Sequence, residues 1–289
     1  MTNSTPTDLS PYAPVDLRLI AVDMDGTLLD DEKRFPPRLG ELLDALDERG
    51  VVFAPSSGRQ VWTLLDMFPG RPGMTVIGEN GAIVMRDGEE VSSSPVDHET
   101  IHRAIDLVRE VVAEGRNGGL VLCGKHSAYV EQRDDAFVSQ VLPYYHRTER
   151  VANQHATLDA IESGRIDDDI VKLAVLDLDD VLPLANRSLA LFADTHQYAV
   201  SGRNWADLQI RGVDKGRAVA ALQESIGATK AQTAVFGDFH NDISMFAEAD
   251  WSFAMANAHD DVLEAARFVA PSNNEDGVGT VVRTLLGIE

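Results

Sequence analysis

Residues 17–22, Leu-Arg-Leu-Ile-Ala-Val, form a short apolar run that stops at Asp23-Met24-Asp25-Gly26-Thr27. A run of that length ending in a tight turn predicts a buried strand. The stretch from Pro36 to Gly50 then spaces Leu39, Leu42, Leu43 and Leu46 as one helix face does. Val51 to Ala54 is a second apolar run. Ala234 to Phe236 is a third, and it follows a helix-like stretch over Gly216 to Ile226. Strand then helix, repeated, predicts an α/β fold with a Rossmann-like parallel sheet and helices on both faces. Open sheets of this kind bind ligands beyond the carboxyl ends of their strands. All three runs end in residues equipped for chemistry.

Between the second and third runs lies a stretch with its own alternation. It shows an Asn80-Gly81 turn, a hairpin around Asp87-Gly88, a helix over His98 to Ala113, strands near Gly119 to Cys123 and Ile170 to Leu176, and a helix over Val181 to Phe192. Residues of catalytic character flank this stretch and are nearly absent within it, so it reads as a second domain inserted into the first. The expected division is a discontinuous core of residues 17–84 and 207–289 with an inserted α/β cap domain of residues 85–206. Residues 1–16, rich in Ser, Thr and Pro and without the apolar segment of a signal peptide, are expected to be a disordered leader. A chain of 289 residues, 44% of them hydrophobic, has the material for two cores.

Charge narrows the partners. A formal charge of −22, from 47 acidic and 25 basic residues, repels nucleic acids and anionic membranes. No apolar run reaches the roughly 18–20 residues of a membrane helix, so no membrane association is expected. The one cysteine, Cys123, excludes an intrachain disulfide, which fits a cytoplasmic location, and its apolar neighbours mark it as buried filler rather than a nucleophile. The same acidity would repel a phosphorylated metabolite, so any anion site must be built from local cations, backbone N–H groups or a metal. The sequence leaves the oligomeric state open.

Asp23 and Asp25 sit one residue apart at a turn permitted by Gly26. They read either as a solvated acidic turn or as ligands of a hard dication such as magnesium, which takes oxygen donors. In Ser57-Gly58-Arg59 a hydroxyl followed by glycine suits a phosphate, and it also suits an ordinary turn and helix cap. Lys215 opens a helix-like stretch, where the macrodipole disfavours a cation, so an anion would explain it. In Gly237-Asp238-Phe239-His240-Asn241-Asp242, Asp238 can ligate a metal, Asp242 can bind the metal or its water, and Asn241 can donate to phosphate. Asp242 also reads as the cap of a following helix. His240 lacks a partner in the flanking sequence and magnesium prefers oxygen, so a surface role is expected for it.

Taken together, Asp23-x-Asp25-Gly26-Thr27, Ser57-Gly58-Arg59, Lys215-Gly216 and Gly237-Asp238-x-x-Asn241-Asp242 resemble the four motifs of the haloacid dehalogenase superfamily, in its Cof-like subgroup of sugar-phosphate phosphatases. Gly78 to Ala82 resembles that subgroup's segment before its cap, and Asn273 to Val278 its C-terminal stretch. Ser57 stands where many members have threonine. The resemblance implies that Asp23 is the nucleophile and Asp25 the acid and base. It implies Mg2+ held by Asp23, the Asp25 carbonyl and Asp238, with Asp242 in support. It further implies that the phosphate is bound by the Met24 and Gly58 N–H groups, Ser57, Lys215 and Asn241. The substrate would be a small phosphorylated metabolite, and residues 85–206 an α/β (C2-type) cap that closes over the site. Two rival readings are a phosphohexomutase of the phosphomannomutase kind and a non-catalytic phosphometabolite sensor. The Cof-like signatures favour hydrolysis over the first, and the presence of both Asp23 and Asp25 speaks against the second.

Overall fold

The computed structural model describes residues 5–131 and 134–288. The chain forms two compact units: Met1–Gly58, Gly70–Ser92 and Asp214–Glu289 make the first, and Arg59–Pro69 with Ser93–Val213 the second.

The first unit is built on an eight-stranded sheet in the order Phe268–Ala270, Trp251–Met255, Thr233–Gly237, Leu19–Asp23, Val52–Ser56, Val76–Gly78, Ile83–Arg86 and Glu89–Ser93. The first six run parallel. All five residues of Leu19–Asp23 are buried, which is why this strand reads as an unbroken apolar run rather than an alternating one. It pairs with Thr233–Gly237 on one side and Val52–Ser56 on the other, so the chain order reverses at this strand. A crevice opens at such a reversal, beyond the carboxyl ends. The helix Leu39–Glu48 buries the four leucines whose spacing announced it. The helix Lys215–Ile226 is capped by Asp214, whose carboxylate accepts from Arg217 N at 2.8 Å, and it ends at Gly227 in the left-handed conformation (φ 64°).

The second unit has a six-stranded sheet in the order His196–Val200, Trp205–Ile210, Ile170–Asp177, Gly118–Gly124, Ala128–Val130 and Thr148–Arg150. The two central strands are buried throughout. Alternate side chains serve two cores. Leu120, Leu122, Leu173 and Val175 pack in one cluster with residues of the helices His98–Ala113 and Gln154–Glu162, while Val121, Cys123, Ala174 and Leu176 pack in another with Phe137, Val138 and Tyr145. Cys123 is fully buried.

The unit borders differ from those expected at 85 and 206, for identifiable reasons. Ile83–Arg86 turns back antiparallel on Val76–Gly78 and so stays with the first sheet. Trp205–Ile210 pairs antiparallel with Ile170–Asp177, carrying the second unit on to Val213. Arg59–Pro69 also joins the second unit: Gln60 Nε2 donates to Arg147 O at 3.0 Å, Thr63 Oγ1 to Tyr144 O at 3.0 Å, and Trp62 Nε1 to Lys125 O at 2.8 Å. The helix expected over Val181 to Phe192 is broken. An α-helix covers Val181–Ala185 and a 3-10 turn Leu189–Phe192, because Ser188 (φ −131°, ψ −93°) leaves helical geometry and its hydroxyl donates to Leu184 O at 2.8 Å.

The expected disordered leader falls partly on residues 1–4, outside the described residues; residues 5–16 follow the sheet edge instead. Thr7 N donates to Val269 O at 2.9 Å and Thr7 Oγ1 accepts from Val269 N at 3.0 Å, so the leader occupies polar groups of the outermost strand. Leu9 is buried, and the Tyr12 ring meets Trp251 and Phe268 edge-on at 5.8 and 5.7 Å. Among the described residues no helix is long and apolar enough to cross a membrane.

Candidate active site

Every residue singled out from the sequence as catalytic, phosphate-binding or metal-binding lies in the first unit. Asp23 ends the strand Leu19–Asp23 and is 8% exposed. The loop after it folds back tightly, with Asp23 O accepting from Leu28 N at 3.1 Å and Met24 O from Leu29 N at 2.8 Å. The Met24 side chain is fully buried, so the backbone is the part of this residue that can meet a ligand. Gly26 takes φ +86°, and a Cβ there would stand 2.4 Å from Asp238 Oδ2. Glycine is therefore required twice, by conformation and by the approach of the second acidic loop. Thr27 Oγ1 fixes that approach by donating to Asp238 Oδ1 at 2.8 Å. The Asp25 carboxylate points elsewhere, to Lys33 at 2.9 Å, and its side chain is 39% exposed.

Lys215 is fully buried and lies between two carboxylates, with Nζ 2.5 Å from Asp23 Oδ1 and 2.6 Å from Asp242 Oδ1; Ser56 O is 3.4 Å away. The other oxygen of Asp242 accepts from the N–H groups of Asp238 (3.0 Å) and Phe239 (3.1 Å). Asp242 therefore braces its own loop while holding the lysine. On the third side Ser57 is buried, its carbonyl accepts from Asn80 N at 3.0 Å, and Asn80 Oδ1 accepts from Asn241 Nδ2 at 3.2 Å. A Cβ on Gly58 would reach the Asn80 side-chain amide at 3.1 Å. Ser57, Gly58, Asn80 and Asn241 thus form one polar wall.

The electrostatics follow from three carboxylates around one ammonium. Burial, then the neighbouring Asp242 carboxylate, pushes the Asp23 carboxyl up to about 8, against the pull of Lys215. Burial pushes Asp238 up to about 6, against the Thr27 hydrogen bond. Burial pulls Lys215 down, but Asp23 and Asp242 outweigh it and hold the ammonium above its ordinary value. The lysine stays charged and the site still lacks positive charge. Asp23, Asp238 and Asp242 each offer an oxygen within 4.8 Å of the others. An all-oxygen, negatively charged donor set of this kind fits a hard dication such as magnesium.

Some of the site was not visible in the sequence. Asn257 Nδ2 donates to Gly26 O at 2.8 Å, and the buried Asn273 Nδ2 donates to Leu29 O at 3.0 Å, so two distant asparagines pin the first acidic loop. Asn273 lies in the C-terminal stretch picked out by resemblance; Asn257 gave no signal. Gly216 allows the close packing of the Lys215 helix, since a Cβ there would stand 2.3 Å from Ser244 O.

A parallel sheet carrying an aspartate, a buried lysine and a second acidic loop at its reversal point is the strand-end site of an α/β protein, with an acid-rich lining that suits a metal ion. The chain belongs to the haloacid dehalogenase-like hydrolase family, whose model matches residues 20–282. It is 32% identical over 276 residues to the 5-amino-6-(5-phospho-D-ribitylamino)uracil phosphatase YbjI of Escherichia coli, a match covering 93% of this chain and 96% of that one. It is 25% identical over 275 residues to the phosphatase of the same name, YcsE, of Bacillus subtilis, covering 93% of this chain and 96% of that one. Among solved structures it resembles SMU.1108c of Streptococcus mutans, with a TM-score of 0.74 and 26% identity over 94% of this chain and 99% of that one. The chain is a phosphatase of this family, acting on small phosphorylated substrates.

Proposed function

We propose that the chain is a magnesium-dependent phosphatase that hydrolyses a small phosphate monoester through a phosphoaspartate at Asp23, and that 5-amino-6-(5-phospho-D-ribitylamino)uracil is the first substrate to test. The observation that carries the mechanism is Lys215 held between Asp23 and Asp242 beside Asp238. The activity for which the Escherichia coli and Bacillus subtilis relatives are named supports the substrate.

Asp23 attacks phosphorus, forming a new P–O bond as the ester P–O bond breaks. Asp25, the more exposed acid, protonates the departing alcohol and then takes a proton from water. That water attacks phosphorus, the bond to Asp23 breaks, and inorganic phosphate leaves. An anionic carboxylate and an anionic phosphate about 4 Å apart repel by roughly 4 kcal/mol per charge pair at an effective dielectric near 20. Lys215 offsets part of this and keeps Asp23 in place. Asp23, Asp238 and the Asp25 carbonyl, with Asp242 in support, would hold magnesium, which would supply the remaining positive charge. Ser57, Asn241 and the N–H groups of Met24 and Gly58 bind the phosphate oxygens as charge shifts among them.

The test is phosphate release from a panel of phosphorylated metabolites that includes the ribitylaminouracil phosphate, sugar phosphates and phosphoglycolate, with magnesium and with chelator. Release that needs magnesium and is fastest for the first compound is the expected result. Magnesium-dependent release that favours another compound would overturn the substrate alone, and release undiminished by chelator would overturn the metal dependence.

A further inference from the structure

The helices His98–Ala113 and Gln154–Glu162 of the second unit carry a cluster unrelated to the acids of the first. His98, His102 and Asp106 recur every fourth residue on one helix; His155, Asp159 and Glu162 share a face of the other. The backbone beneath them is well anchored. Asp97 and Asn153 cap the two helices, Arg109 Nη2 donates to Asn153 Oδ1 at 2.9 Å, and Gln154 Nε2 donates to Leu120 O and Tyr129 O at 2.9 Å each. Ile101, Ile105, Val108, Leu158 and Ile161 are buried in one common core cluster.

For neutral imidazoles the hydrogen bonds in the cluster select one tautomer for each ring. His155 Nε2 lies 2.8 Å from Asp106 Oδ1, and a carboxylate accepts, so this nitrogen carries the proton. With His155 neutral, its Nδ1 is a bare acceptor. That nitrogen lies 2.7 Å from His102 Nδ1, which must therefore be the donor, and the two rings stack with centroids 4.9 Å apart. His102 Nε2 is left with a lone pair, and it faces Asp159 Oδ1 and Glu162 Oε1, each 3.8 Å away. One imidazole nitrogen and two carboxylate oxygens, all within 4.8 Å of one another, thus converge from the two helices. His98 Nδ1, 2.6 Å from Glu162 Oε1, steadies one of the carboxylates. Two carboxylates and an imidazole nitrogen gathered this closely attract a cation between them.

We propose that His102 Nε2, Asp159 and Glu162 form a binding site for a transition-series dication such as zinc, separate from the phosphatase site. The nitrogen donor selects against magnesium and calcium, and one imidazole with two carboxylates suits zinc with a fourth position open to water. Asp106 and His155 act as positioning residues: they orient the ligating ring through its other nitrogen, as outer partners of metal-bound histidines do. The bound ion links the two helices.

The test is calorimetric titration of zinc into the full chain in excess magnesium. The protein carries His259→Ala and Asp261→Asn, which remove the other exposed imidazole and carboxylate cluster among the described residues, that of His240, His259 and Asp261. One zinc is expected to bind. Asp159→Asn and Glu162→Gln replace exposed side chains with near-isosteres and should each weaken binding at least tenfold, and His155→Ala should weaken it about 10–100-fold by freeing the ring. Unchanged magnesium-dependent phosphate release in the same variants reports that they are folded. The proposal is overturned if no zinc binds, as holds when His155 carries a second proton and His102 Nε2 is a donor, or if the Asp159→Asn, Glu162→Gln double variant binds zinc as tightly as its parent.

Discussion

Asp23, the proposed nucleophile, is the residue whose role is most sharply separable. Asp23→Asn keeps the size of the side chain and a hydrogen-bond acceptor toward Lys215, but an amide oxygen is a poor nucleophile, so turnover should fall at least a thousandfold while the circular dichroism spectrum and the melting transition remain. Magnesium-dependent release at wild-type rates would refute the assignment. The same residue predicts a pH dependence. Burial holds the Asp23 carboxyl up to about 8, whereas an unfolded aspartate titrates near 3.9. Between those values the native state binds a proton that the unfolded chain has lost, so the stability contributed by Asp23 falls as pH rises through that window. In chelator, the melting temperature of wild type should therefore drop relative to Asp23→Asn between pH 5.5 and 8.5. Magnesium binding shows the opposite trend, because the ligands must shed protons first: its affinity should rise as Asp238, held at about 6, and then Asp23 ionise. A magnesium affinity flat across this range, read by calorimetry, would remove both carboxylates from the metal site.

Among the elements, the short turn Glu79–Gly81 tests whether backbone fit sets the site. Gly81 has φ +97°, and a Cβ there would stand 2.2 Å from Asp214 O, directly before Lys215; Gly88 has φ +80° with nothing within 4 Å. Gly88→Ala should cost about 1–2 kcal/mol, the conformational strain alone. Gly81→Ala should cost more in denaturant melts and should also lower kcat, because Asp214 must move and Lys215 moves with it. Equal losses in the two variants would mean that this contact is slack. The pair also shows what could be read from the chain. The Asn80-Gly81 turn was visible as a dipeptide, but its closeness to Asp214 depends on a fold that joins positions far apart. Apolar runs marked the strands Leu19–Asp23, Val52–Ser56 and Thr233–Gly237, because strands buried on both faces leave an unbroken signature. Trp205–Ile210 escaped notice because Asp207 and Gln209 interrupt its apolar residues, although both are buried in the sheet. The attachment of Arg59–Pro69 to the second unit was equally hidden, since it rests on Gln60 and Thr63 reaching backbone carbonyls at Arg147 and Tyr144. In the candidate site the strand ends named the acids, the helix start named the lysine, and the bracing by Asn257 and Asn273 had to come from the fold.

For the whole molecule the governing quantity is the charge of −22, which sets the approach of an anionic substrate to a site that must nonetheless bind phosphate. Lys215 is fully buried and engaged by two carboxylates, so it projects little field into solvent. The long-range potential met by a phosphate ester is then that of the acidic surface, and it opposes encounter. Salt shortens the reach of that potential from about 30 Å at 0.01 M to about 8 Å at 0.15 M, while contacts inside the site are screened far less. At a fixed, saturating concentration of magnesium, kcat/KM for a phosphate monoester should therefore rise about two- to tenfold over that range of potassium chloride, with kcat nearly constant. This trend is opposite to that of an enzyme that steers its anionic substrate with surface cations. A fall in kcat/KM with salt would mean that exposed basic residues outweigh the net charge near the entrance to the site, and would direct attention to the arginines and lysines of the surface rather than to Lys215.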